Sequence, residues 1–143
     1  MKRKTFATLL LILFVSSLAI AQKKSGEKVI STKTIQGRTI GFQTGDYQHV
    51  DIRRTNGRRK SFFVWKAGLD YFLAVHKNSL VTYSYEVADV NLPEAGPIRL
   101  ERIVSARVGN MTFEKWWKKE RAAGSVEELD KKYGPLVDKY EIK

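Results

Sequence analysis

The sequence predicts a mainly β domain: a small five-stranded β-barrel with one helix between its third and fourth strands, followed by C-terminal α-helices. Three observations lead there. Asn56-Gly57 separates two runs of strand-forming residues, and this dipeptide is the strongest short-range hairpin signal because a type I′ turn needs positive φ at both central residues. Leu80 to Val87 alternates, with Val81, Tyr83, Tyr85 and Val87 on one side and Thr82, Ser84 and Glu86 on the other. Helical spacing is confined to one short interior segment and to the region after Thr112.

The elements follow in order. Gln22 to Ser31 is polar and cationic with little periodicity, and reads as a flexible basic lead-in. Thr32 to about Phe42 is a first strand, bent or bulged where Gly37 and Gly41 interrupt it. After a turn at Thr44-Gly45-Asp46, Tyr47–Thr55 and Arg58–Trp65 form the hairpin. Leu69, Phe72, Leu73 and His76 share one face of a helix over Ala67–His76. The Leu80–Val87 strand, a Pro-containing loop over 91–97 and a last strand from Ile98 to about Val108 complete the barrel. Thr112 then caps a helix with an aromatic stripe of Phe113, Trp116 and Trp117. Ser125 and Glu128 form a capping box opening a second helix, which Gly134-Pro135 is expected to stop.

This order, three strands, a helix, two strands, resembles the oligonucleotide/oligosaccharide-binding (OB) fold over about residues 32–108. The resemblance is one of topology, without a family motif, and it implies an OB-like barrel carrying a helical extension over 109–143.

The N-terminus bears on location. Lys2, Arg3 and Lys4 precede an apolar run from Phe6 to Val15, and Ala19-Ile20-Ala21 supplies the small residues of a cleavage site. Residues 1–21 therefore read as a signal peptide cleaved before Gln22, and the protein as exported, periplasmic or secreted. An uncleaved anchor would need about 20 apolar residues, more than this run supplies, so no transmembrane helix is expected in the mature chain. No cysteine is present, which excludes disulfides, thiol chemistry and a lipidated N-terminus. Cleavage leaves 122 residues and +8 of the +11 formal charge. The excess sits in the lead-in and the barrel, since residues 112–143 carry eight cations against seven acids.

The hairpin concentrates that charge. Its tip holds Arg53, Arg54, Arg58, Arg59 and Lys60. If Asn56 and Gly57 are the two loop residues, Arg54 faces Arg59 and Arg53 faces Lys60, and like charges directly opposite destabilise a ladder. An anion would relieve them. The same register places Val50, Ile52, Phe63 and Trp65 on the core face, and Tyr47, His49, Asp51, Phe62 and Val64 on the other. Tyr47, His49 and Phe62 are then a candidate binding face, in the aromatic-plus-cation mixture that single-stranded nucleic acid binders use. A covering role for Phe62 and Val64 beneath the aromatic C-terminal helix is the favoured reading of that face.

Catalysis has little support. His49 and Asp51 share a strand face and form the only recognisable His–carboxylate candidate; His76 sits at a helix end. No metal-ligand spacing, phosphate loop or nucleophile motif is present, so no catalytic residues, metal or cofactors are assigned. The expectation is an exported non-catalytic binding module that engages an anionic polymer, a membrane surface or an acidic protein through Arg53–Lys60; nucleic acid is disfavoured by export. The alternative is a cell-envelope interaction protein that docks through Trp116 and Trp117.

Overall fold

The computed structural model describes residues 26–143; the expected leader over residues 1–21 and the start of the lead-in lie outside the described residues. The first strand, β1 (Lys28–Gln43), begins earlier than expected and converts the end of the lead-in into sheet. Its first part pairs with β4 (Val81–Leu92) and its last part with β2 (His49–Arg54), and Gly37 is where one neighbour replaces the other. The expected irregularity is present: the register with β2 shifts between Thr39 and Gly41.

The hairpin forms, but its turn differs from the expected one. No residue other than glycine has positive φ among the described residues, so Asn56 does not enter the left-handed region that a type I′ turn requires. Gly57 alone does, at φ 80°. Its N–H donates to the Arg54 carbonyl (2.9 Å), the Arg54 N–H donates to the Arg58 carbonyl (2.9 Å), and Asn56 Oδ1 accepts from the Arg58 N–H (3.1 Å). The loop thus has three residues, Thr55–Gly57, and β3 (Arg59–Val64) slides by one position against β2.

That slip exchanges the two faces of β3. Phe62, not Phe63, joins Val50 and Ile52 in the core, 1% exposed and 4.8 Å from the Tyr85 ring. Phe63 and Trp65 face outward, with His49 and Tyr47.

After α1 (Leu69–Val75), whose Leu69, Phe72 and Leu73 are buried as their spacing predicts, β4 runs five residues past its expected end and β5 (Gly96–Val108) starts two residues early, so that together they absorb most of the 91–97 loop. Val81, Tyr83 and Tyr85 point into the core. Beyond Val87 the buried positions become Ala88, Val90 and Leu92, on the opposite face. With Leu100 they make a second apolar cluster that takes in Ile98, Tyr47 and Phe63.

β5 also pairs in parallel with β3 through Phe63↔Arg102 and Val64↔Ile103. The strands therefore close into a ring, β1–β2–β3–β5–β4 and back to β1, with α1 between β3 and β4 as expected. Inside, Thr39 and Tyr83 share a buried hydrogen bond of 2.9 Å.

A two-residue strand, β6 (Met111–Thr112), leads into α2 (Phe113–Ala123), where the Thr112 hydroxyl accepts from the Lys115 N–H (3.3 Å). The capping box of α3 (Val126–Lys139) forms as read from Ser125 and Glu128. Pro135 does not stop this helix. Leu136 and Val137 pack on the core, and the chain beyond them pairs with β1 through Phe42 N–H to Tyr140 O (3.0 Å) and Ile142 N–H to Phe42 O (2.8 Å). Those contacts hold the last turn against the bond that proline cannot make.

The aromatic stripe of α2 covers α1 rather than Phe62. Trp116 and Phe113 meet the Phe72 ring edge-on at 5.5 and 6.1 Å.

Candidate anion-binding site

The one-residue slip rearranges the cations of the hairpin. Arg53 now faces Arg59, and Arg38 of β1 lies opposite Arg53 on its other side. Three arginines on three adjacent strands thus stand in a row on the outer face. Neighbouring strands are about 4.8 Å apart, so the Cα atoms of the three arginines lie within roughly 10 Å. Arg58 is exposed in the turn, and Arg54, half-buried, flanks the row opposite Gly37.

Lys60 leaves the cluster. The slip places it opposite Ile52, where it binds Glu101 at 2.8 Å and lies 5.1 and 5.3 Å from the centres of the Phe62 and Tyr85 rings. It is a partner of the fold and not a free cation.

Two shallow cavities adjoin the row. One, about 330 Å³, is lined by Gly37, Arg38, Arg53, Arg54, Thr55, Gly57 and Leu80. The other, about 240 Å³, is lined by Arg38, Thr39, Ile40, Arg53, Lys77 and Asn78. Arg38 and Arg53 wall both, and no carboxylate of the described residues lines either. The Arg38 guanidinium donates to the Asn78 carbonyl, which anchors it to the connection after α1. Among the described residues, ion pairs engage Lys60, Lys66, Arg99, Arg102, Lys131 and Lys132, and none engages Arg38, Arg53, Arg54, Arg58, Arg59 or Lys77. Such a row can bind several oxyanions in succession, because each guanidinium offers a planar fork of donors.

The candidate aromatic face is split. Phe62 is buried, while Tyr47 and His49 stay on the outer face against Phe63, at ring separations of 6.2 and 4.1 Å. His49 Nδ1 contacts the Tyr47 carbonyl (3.0 Å), and Asp51 accepts from the Gln43 amide (3.0 Å to each oxygen). The His49–Asp51 pair is therefore not formed. His49, Gln43, Ser61 and Phe63 instead line a wide groove of about 690 Å³, whose other wall is β4–β5 with Val87, Arg99, Leu100 and Glu101. At the end of α1, burial pulls the His76 imidazole below its ordinary value, because desolvation disfavours the charged form.

No family model, curated protein or solved structure matches this chain.

Trp116 and Trp117 are both built into the fold. Trp116 is 8% exposed. Trp117 is half-buried, lies over Gly68 and lines a cavity with Phe113 and Lys66. The exposed tryptophan is Trp65, outside the stripe.

Three features escaped sequence reasoning. Arg38 and Lys77 reach the hairpin only through the register of β1 and the position of the α1–β4 connection. Arg102, 6% exposed, is held by Glu27 and Glu86, each at 3.1 Å, and its guanidinium lies 5.2 Å from the centre of the Trp65 ring. A row of arginines in register has no linear motif, and a buried arginine reads in sequence like any surface cation.

Proposed function

We propose that this protein is an exported, non-catalytic binding module that holds an acidic polymer along the Arg38–Arg53–Arg59 row, with Arg54, Arg58 and Lys77 at its flanks. The observation that carries the reading is the row itself: cross-strand arginines destabilise the ladder unless something neutralises them, and no carboxylate of the described residues does. An arrangement that costs stability in the free protein is relieved by a ligand with regularly spaced negative charges. The signal-like leader favours a partner outside the cytoplasm, and so an acidic polysaccharide. The OB-like order of strands supports a binding role in general terms and does not select the ligand.

The test is a salt series of binding to an acidic polysaccharide, with anionic vesicles and a single-stranded oligonucleotide as comparison arms. The protein is expected to bind the polysaccharide saturably, with affinity falling steeply as salt rises. Arg53→Glu with Arg59→Glu should weaken binding and flatten the dependence of log K on log salt, by about one unit of slope for each ligand charge no longer neutralised. Unchanged affinity in the double variant would refute the reading, and preference for vesicles or oligonucleotide would replace the polymer named here.

A further inference from the structure

At the opposite end of β3 from the arginine row, the chain builds a site of opposite sign. Trp65, Lys66, Ala67 and Gly68 follow β3 and lead into α1; with Gln48, Val64, Asp70, Tyr71, Trp117 and Val126 they enclose a cleft of about 220 Å³. Pockets for drug-sized ligands run to roughly 300–1,000 Å³, so this one suits a small headgroup. Three of its walls are aromatic. Tyr71 and Trp117 stand 6.4 Å apart at 53°, and the exposed Trp65 ring already accepts the Arg102 guanidinium.

Asp70 is the acidic side chain of the lining. Burial raises its carboxyl from the ordinary value, and the Asp130 carboxylate nearby adds to the upward push, while neighbouring backbone and amide groups pull the other way. Lys66, the one cation of the described residues that lines the cleft, is paired with Glu114 at 3.9 Å. One polar group that a sugar would need is already engaged: the Tyr71 hydroxyl donates to Asp130 (2.7 Å). What the cleft offers is a carboxyl side chain among three aromatic rings, and aromatic rings attract a cation without directional hydrogen bonds.

We infer that the Trp65–Tyr71–Trp117 cleft, with Asp70 at its side, is a binding site for an organic ammonium headgroup. The site shares no residue with the arginine row, so it stands or falls independently of the anion-binding function. The experiment is a titration of the protein with choline at constant ionic strength, read by the indole N–H signals of Trp65 and Trp117, with 3,3-dimethylbutan-1-ol as the uncharged isostere and glucose as the sugar arm. Choline is expected to move both indole signals saturably, while the isostere and glucose leave them in place. Asp70→Asn, which keeps the shape of the side chain, and Trp65→Ala, at an exposed ring, should each weaken choline binding by about tenfold. The inference is overturned if the isostere binds as well as choline, if Asp70→Asn binds choline undiminished, if glucose alone binds, or if no signal moves at about 100 mM choline, where even a very weak site fills.

Discussion

Replacing Tyr83 with phenylalanine removes one oxygen from the interior of the ring and leaves another without a partner. Tyr83 is fully buried and Thr39 is 3% exposed; their hydroxyls are 2.9 Å apart, and neither makes a second side-chain hydrogen bond among the described residues. A hydroxyl orphaned away from water costs about 1–3 kcal/mol, whereas removing both partners of a bond is close to neutral. Tyr83→Phe and Thr39→Val should therefore each destabilise by about 1.5 kcal/mol, and the double variant by no more than either single one. The coupling energy of the cycle is then about 1–2 kcal/mol. Urea denaturation reads it directly: with a slope of roughly 1–3 kcal/mol per molar urea, each single variant shifts the midpoint by about 0.5–1.5 M. Strictly additive losses would refute the argument, because each hydroxyl would then have found its own replacement partner.

Burial also raises the Tyr83 phenol to about 12, with the bond to Thr39 pulling the other way. A raised folded value means that the stability contributed by the protonated phenol is complete below about pH 10 and is lost as pH climbs toward 12; Tyr83→Phe should flatten that alkaline decline in a series of melts. Arg102→Met breaks the pairs to Glu27 and Glu86 at once, and since both carboxylates retain some access to water the loss should be about 1–3 kcal/mol, less than for a wholly buried pair, seen as a lower thermal midpoint. Gly57 and Gly68 both have positive φ, but an added methyl meets nothing at Gly57 and runs into the Trp117 ring at Gly68. Gly57→Ala should cost about 1 kcal/mol of backbone strain. Gly68→Ala should cost distinctly more and shift Trp117 fluorescence; equal losses would show that the ring yields freely.

Local patterns were legible wherever one residue's neighbours in sequence are also its neighbours in space. The alternation of Val81, Tyr83 and Tyr85, the α1 face of Leu69, Phe72 and Leu73, and the Ser125–Glu128 box all read correctly for that reason. The existence of the hairpin was equally plain, but its register depended on a single torsion: whether Asn56 joins Gly57 in the left-handed region. Because it does not, Phe62 and Phe63 exchange places, Lys60 leaves the cation cluster and Arg53 meets Arg59. Arg38, Lys77 and Arg102 acquire their surroundings only from strand pairing and loop placement, which no spacing along the chain encodes. Pro135 misled for a related cause, since the contacts that carry α3 past it come from β1.

The parallel pairing of β3 with β5 involves two residue pairs, Phe63↔Arg102 and Val64↔Ile103, against the long antiparallel ladders elsewhere in the ring. A closed sheet parts where the fewest ladder bonds hold it, so this seam is the natural hinge line of the molecule. Its neighbours Lys60–Glu101 and Arg102 with Glu27, Glu86 and Trp65 act as rivets across or beside it. Parting there would bare two strand edges at once, each a template for another copy of the chain. Guarding against self-association is therefore a task for charged side chains at a two-pair joint, and loss of those charges would first be felt as aggregation.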